Sequence, residues 1–517
     1  MTSDFETDLS AISAFVPGSY DAVMGALDAA WIEEALVATG VATIRRRRLP
    51  QEHLVWLVIG MALMRNLPIT EVVRRLDVTL PTRTGARGVA PATISQGRQR
   101  LGAEALEWLF WRSTHEWCAE PARASAWHGL AVWGLDGTVQ RVADSPENRT
   151  HFGASKGTGD GAYPLVRLVV AMELRTHLMA AAHVGPNTCS EQSLARSLWP
   201  SIPSGSVVLV DRGHFDVRTL HGLDTTDRHW VTRAKSSTQW RVLKPWSRTD
   251  ALIEMDVSKA ARRIDPTLPR TWRARAIHYR RKGFRPATIL TSLLDDKRYP
   301  AKEIVDLYHE RWELELGFRE LKSIVLDRQE TLRSKSPAMV NQELWGLLIA
   351  YNLVRLEMVR TADHLKVPAT RISFAAVLRE VVVLLRDALH CTTPGALPGR
   401  IVEMRELLRH FVLPPRRPKR TYPRAVKLFN SKYPSRTTYR KSSSRKPYVT
   451  GIGDVPPSSS PAAPNSTYAD DKSPAFTHCS RGVCLSRGKA ARFTSVTRAT
   501  LLMLILGSDD LRLSTSR

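Results

Sequence analysis

The segment SVVLVDRG (206–213) decides how the rest of the chain is read. Its apolar residues run consecutively and do not alternate with polar ones, as in a sheet strand covered on both faces. It stops at an acid, Asp211, followed by turn-forming Arg-Gly. The same ending occurs in GLAVWGLDG (129–137), where an apolar run stops at Asp136 before a glycine. Short apolar segments lie around these two: YPLVRLVVAMEL (163–174), HLMAAAHVG (177–185) and HWVTRAK (229–235), with helix-like SEQSLARSLW (190–199) among them. Strands mixed with helices predict an α/β mixed sheet over 128–236. Further strands with basic connections, such as RTWRARAIHYRRKGFR (270–285), predict a β-rich continuation over 237–295.

The flanks read as helical. Over 20–120, HLVWLVIGMALMRN (53–66), ITEVVRRLDV (69–78) and PATISQGRQRLGAEALEWLF (91–110) have helix-like apolar spacing. Pro91 marks a helix start, with Thr93 or Ser95 as its cap. A helix, a turn, and then a helix bearing Arg98 and Arg100 fit a helix-turn-helix-like DNA reader. They fit equally well a helical bundle with solvated arginines, because the intervening turn is longer than usual. After 300, three long helices are predicted, starting from AKEIVDLYHERWELELGFRELKSIV (301–325). Pro414 and Pro415 end regular structure. From Arg416 to Lys446 the chain carries twelve Lys or Arg, with no acidic residue between 411 and 450. Such a segment reads as an arm along phosphates. Beyond 450 the composition is that of a disordered tail.

Composition narrows the function. The 517 residues carry 75 Lys plus Arg against 50 Asp plus Glu, a formal charge of +25, which favours a polyanionic partner. Five scattered cysteines form neither a disulfide framework nor a zinc pattern. The N-terminus lacks a signal-peptide pattern and no apolar run would span a bilayer. A cytoplasmic, DNA-associated protein without a membrane role is expected.

Three carboxylates carry the chemistry. Asp136 and Asp211, at the ends of strands of one sheet, can converge on a metal ion that offsets their repulsion. Singly, each reads as well as a turn former. The third candidate is Glu315. Tyr308, Arg311, Glu315 and Lys322 lie at offsets 0, 3, 7 and 14, and at about 100° per residue they form one stripe. Glu310, Glu313 and Glu320 point elsewhere. A carboxylate flanked by Arg and Lys suits a metal ligand beside a phosphate clamp. The same stripe is also what a solvated face with an Arg311–Glu315 ion pair would show.

This stripe resembles the signature helix of the insertion sequence 4 family of transposases: Tyr308, two residues, Arg311, three residues, Glu315, six residues, Lys322. The surrounding YHERWELELGFRELK, TLRSK, QELWGLLIAYNLVR and RTYPRAVK are similar to that family too, as are TIRRRRLP, VWLVIGMAL and PATISQGRQRLG near the N-terminus. The resemblance covers about residues 25–435. It departs after Asp211, where Arg-Gly-His stands in place of the more usual Arg-Glu-Gly. It implies a helical N-terminal DNA-binding domain (20–120) and a ribonuclease-H-like mixed-sheet catalytic core. The core's first part would be 128–236, interrupted by a β-rich insertion (237–295) and completed by the catalytic helix (300–364). A helical and basic region (365–450) and a tail (451–517) would follow. It further implies that Asp136, Asp211 and Glu315 are catalytic and hold Mg2+, in a pair with Mn2+ able to substitute. Arg311, Lys322 and Tyr308 would contact DNA, with Arg98 and Arg100 in the N-terminal domain. The activity implied is cleavage at element ends followed by strand transfer, that is, cut-and-paste transposition. Its partners would be duplex DNA with terminal inverted repeats and a target DNA, bound by a homodimer.

Three other readings compete. A catalytically silent, transposase-derived repressor and a plain metal-dependent nuclease share the same core. A haloacid-dehalogenase-type phosphotransferase would need an Asp two residues before Asp136, where Gly134 stands.

Overall fold

The computed structural model describes residues 27–42, 48–80, 88–153, 162–281, 285–322, 331–389 and 397–414. The basic arm from Arg416, the tail, Arg45–Arg47 and the centre of the 80–91 turn fall outside these residues. No described helix is long and apolar enough to cross a membrane.

The apolar segments become strands as their composition demands. β1 (Ala131–Arg141), β2 (Leu165–Glu173), β3 (Met179–Pro186), β4 (Ser206–Val210) and β5 (Arg228–Arg233) lie in the order β3-β2-β1-β4-β5. β2 is antiparallel to β1 and to β3, while β4 runs parallel to β1 and to β5. That order and these directions are those of a ribonuclease-H-like sheet. Every residue of β4 is buried. Its side chains alternate, with Val207 and Leu209 in one core and Val208 and Val210 in the other. Each such side chain, fully buried, contributes about 1.5–3 kcal/mol.

The strands of 237–295 extend this sheet. β6 (Arg241–Pro245), β7 (Asp250–Asp256), β8 (Thr271–Tyr279) and β9 (Ala287–Thr291) form an antiparallel run, and β9 pairs with β5. The result is one nine-stranded sheet. Arg275 on β8 is buried and binds both carboxylate oxygens of Asp250 on β7, at 2.8 and 2.6 Å.

The N-terminal helices are α1 (Ala29–Ala38), α2 (Gln51–Leu63), α3 (Ile69–Arg75), α4 (Pro91–Leu101) and α5 (Glu104–Ala124). α4 begins at Pro91 with Ala90 as its cap residue and no side-chain cap bond, so neither Thr93 nor Ser95 caps it. All of α2 except Glu52 is buried. Between β1 and β5 lie three short helices: α6 (Pro146–Phe152), α7 (Glu191–Arg196) and α8 (Val217–Asp224); α9 (Lys259–Ile264) follows β7. The C-terminal helices are α10 (Ala301–His309), α11 (Trp312–Glu320), α12 (Pro337–Leu365), α13 (Phe374–Leu389) and α14 (Leu397–Leu408). α2, α5 and α12 belong to one continuous apolar core, with the sheet's inner residues beneath it. Buried polar bonds lock the N-terminal helices to α12: Arg65 to Glu343 at 2.6 Å, and Arg98 to Gln342 at 2.9 Å.

The single helix expected over 301–325 is two helices. At Glu310 and Arg311 the backbone tightens, with Glu310, Arg311, Glu313 and Leu314 each bonding to the carbonyl three residues back. No Pro or Gly marks the break, so it is not a matter of local propensity. Glu310 is gripped by Arg175, which donates to both its carboxylate oxygens at 3.1 Å. The continuous 100° stripe therefore does not run from Tyr308 to Lys322. What survives is the i,i+4 pair of Arg311 and Glu315, with Lys322 in a wider π-turn after α11.

Candidate metal centre

Sheet register sets the first two carboxylates. The last parallel pair of β1 and β4 is Leu135 with Val210, so Asp136 and Asp211 are the next residues on neighbouring strands. Adjacent strands lie about 4.8 Å apart. β4 ends there because Arg212–His214 turn into a 3-10 helix, closed by His214 N–H bonding to the Asp211 carbonyl at 2.9 Å. Asp211 is exposed.

Asp136 is partly buried, and burial raises its carboxyl to about 6. The Gly137 N–H, donating to its Oδ1 at 2.8 Å, opposes that rise, while the nearby Glu191 carboxylate adds to it. His214 and Arg311 are also close enough to favour its charged form. A carboxylate in that condition gains from an added cation.

α11 brings the third carboxylate. A Cβ at Gly134 would lie 2.6 Å from Leu314 and 2.7 Å from Leu174, so the first turn of α11 sits directly on β1, two residues from Asp136. At Gly317 a Cβ would meet the Met172 sulfur at 2.8 Å, so the next turn is equally close to β2. Glu315 follows Leu314 and keeps 40% of its side chain exposed, with Arg311 at 3.3 Å. Lys322 donates from Nζ to the Val139 carbonyl of β1 at 2.9 Å. Tyr308 is buried, which raises its hydroxyl to about 12; Arg311 opposes that and Asp211 adds to it. The structure thus puts Arg311 near Asp136, Tyr308 near Asp211, Lys322 on β1 and Glu315 beside Arg311. Among the described residues, however, Asp136, Asp211 and Glu315 do not form a group with donor atoms within 4.8 Å of one another.

The N-terminal arginines are placed differently. Arg98 is only 7% exposed and donates to Gln342 and to Ser334. It joins two helices in the interior, so the expectation that it reads DNA is not supported by its position. Burial also lowers its pKa. Arg100, two residues on, is half-buried.

Sequence reasoning missed two residues. Donor atoms of Asp136, Glu191 and His214 all lie within 4.8 Å of one another, the one such metal-competent group among the described residues. Glu191 opens α7 and His214 closes the turn after Asp211. Nothing in their spacing relative to Asp136 signals this, because the sheet creates the proximity. The one available hint was the Arg-Gly-His that follows Asp211. The set of carboxylate and imidazole donors fits a divalent cation.

Comparison with known proteins shows the family. Residues 18–111 match the model for the insertion element 4 transposase N-terminal region, and 131–353 match the transposase DDE domain. The chain is 39% identical over 417 residues to the transposase InsG for insertion sequence element IS4 of Escherichia coli (strain K12), covering 79% of this chain and 92% of that protein. It is 32% identical to the putative transposase InsZ of the same organism, over 53% of this chain and 87% of that one. A piggyBac transposase synaptic complex with hairpin DNA, solved by cryo-EM, aligns at a TM-score of 0.38 and 12% identity, over 78% of this chain and 86% of that one, a likeness on which nothing is built. The order of the sheet, the matches to both transposase models and a relative matched over nearly its whole length lead to one conclusion: the chain belongs to the insertion sequence 4 family of DDE transposases.

Proposed function

We propose that this transposase performs cut-and-paste movement of a DNA element, with Asp136, Asp211 and Glu315 holding a pair of Mg2+ ions for which Mn2+ can substitute. The observation that supports the assignment is the register of β1 and β4, whose last pair is followed by Asp136 on one side and Asp211 on the other, with the first turn of α11 against β1 at Gly134. When bound, such ions generate a nucleophile at neutral pH and neutralise charge on the departing oxygen.

The chain's own groups do the rest. Arg311 lies 3.3 Å from Glu315 and has a side chain able to turn from that carboxylate to a phosphate. Arg suits that exchange because its planar fork matches either anion. Lys322, anchored on the Val139 carbonyl, adds a second cation along β1. Both offset the repulsion between a DNA backbone and clustered carboxylates. Tyr308 exposes little surface, so its contact with a terminal nucleotide is small. The substrates on this reading are duplex ends with terminal inverted repeats, then a target DNA. Two ends must be processed together, which calls for a homodimer in the complex. The reaction would take place on cytoplasmic DNA.

The test is cleavage and joining of a duplex carrying the element's end, in Mg2+. The wild type is expected to nick the end and join its 3′-OH to target. Glu315→Gln is expected to bind the end normally without cutting it. Full cleavage by that variant would remove Glu315 from the ligand set. Binding without cleavage by the wild type would favour the silent repressor, and cleavage without joining the nuclease.

A further inference from the structure

We propose that Glu191 is a further carboxylate ligand of the metal centre, beside Asp136 and oriented by His214. The inference rests on Asp136 being a ligand. Glu191 opens α7, in the connection between β3 and β4.

Three features favour it over an incidental ion pair. The first is the glycine beside Asp136. A Cβ at Gly137 would fall 2.5 Å from Glu191 Cδ, 2.6 Å from its Cγ and 2.7 Å from its Oε2. The Glu191 carboxylate therefore lies flat against β1, where only a residue without a side chain leaves room for it. The second is its orientation. His214, with a side chain 5% exposed, holds one oxygen of Glu191 at 2.9 Å, and Arg167 stands 3.5 Å from the other. A buried imidazole that fixes a carboxylate is the arrangement that tunes metal ligands from behind. The third is the way the segments are joined. Gln192 Nε2 donates to the Gly213 carbonyl at 2.6 Å, so the start of α7 is tied to the turn that carries Asp211 and His214. The segments bearing Asp136, Asp211 and Glu191 are thus fixed to one another before any ion arrives. Hard divalent cations favour such oxygen-rich, preassembled sites.

The experiment measures Mn2+ binding to the full-length, DNA-free protein by electron paramagnetic resonance at neutral pH. Glu191→Gln keeps the shape and a hydrogen bond to His214 but removes the charge. It is expected to weaken Mn2+ binding by about 10–100-fold, with His214→Gln weakening it by about tenfold. Asp136→Asn is the reference. Weak binding in both Asp136→Asn and Glu191→Gln supports the inference. Weak binding in Asp136→Asn with wild-type affinity in Glu191→Gln overturns it and leaves Asp136 in place. Wild-type affinity in both overturns the inference together with the assignment of Asp136. A melting curve checks that Glu191→Gln folds. If it does not, Glu191→Asp, which keeps the charge but withdraws it by one methylene, is expected to weaken binding in the same direction, and unchanged affinity there overturns the inference.

Discussion

Glu313 and Glu315 sit two residues apart on α11 and meet opposite environments. Glu313 is 14% exposed and bonds to His177 Nε2 at 2.8 Å. On the same side, Glu320 is held by buried Arg355 and by His177, while Glu310 just before α11 is held by Arg175. Glu315, on the other side, has 40% of its side chain exposed and, among the described residues, a long pairing with Arg311. The contrast separates two uses of one residue type. Where the protein supplies its own fixed partners, His177, Arg175 and Arg355, the carboxylate fastens the helix to the β2–β3 turn and to α12. Where it supplies only one long arginine contact, the carboxylate stays 40% exposed, as the proposed metal ligand must be.

The largest expected effect tests that division directly. Glu315→Gln should lower end cleavage by about a thousandfold or more, as loss of an electrostatic catalytic group does. Glu313→Gln, which keeps a hydrogen-bonding group toward His177, should stay within about tenfold of wild type in the same assay. Equal inactivation of the two would break the comparison.

Next in size is Arg355→Met. It takes from the largely buried Glu320 its main charged partner, leaving only His177 and the Tyr351 hydroxyl beside it, and should destabilise the fold by about 3–5 kcal/mol in urea unfolding. The same pairing has a pH signature. Burial alone would raise Glu320, but Arg355 and His177 outweigh it and hold it at about 2, against an ordinary 4.5. A depressed carboxylate stabilises the fold fully above the ordinary value, and that stability is lost as pH falls from there toward 2. Glu320→Gln should flatten this part of the acid-unfolding profile. An unchanged profile would show that the cluster does not titrate as a unit with folding.

How far the sequence revealed this arrangement depended on which forces placed each residue. The strands were legible because SVVLV and its neighbours must be buried, and a buried five-residue run has few other forms. Asp211 was legible as a strand end, whereas Asp136 lies inside β1, which runs on to Arg141 beside β2 after its pairing with β4 stops at Leu135. The break at Glu310–Arg311 was not, since the chain there holds neither Pro nor Gly and the turn is fixed by Arg175, well over a hundred residues earlier. Arg98 misled for a related reason. An arginine on a helix with polar neighbours reads as solvated, and only the pairing of α4 with Gln342 and Ser334 of the C-terminal part puts it inside. Glu191 was invisible because it lies 55 residues from Asp136 in the chain and meets it only through sheet pairing.

A smaller effect sharpens the question of how α11 is held. Gly134→Ala places a methyl 2.6 Å from Leu314 Cδ1 and 2.7 Å from Leu174 Cδ2. Overpacking of this kind costs about 1–3 kcal/mol. Because Leu314 precedes Glu315, the strain should also move the carboxylate, so cleavage should fall by more than end binding does. Loss of stability with cleavage intact would show that α11 tolerates displacement.

The smallest effect expected is that of Arg311→Met on stability. Its partner is half-exposed and 3.3 Å away. Pairs of this kind are worth about 0–1 kcal/mol, because solvent screens them and both side chains lose freedom in making them. Unfolding by urea should therefore barely shift, whereas end cleavage should fall strongly if Arg311 serves a phosphate. That split between stability and activity is the reverse of the one expected for Arg355, although both arginines pair with glutamates of the same helix. If Arg311→Met instead destabilised the protein as much as Arg355→Met, Glu315 would be a fastened carboxylate like Glu313 and Glu320, and the two sides of α11 would no longer differ.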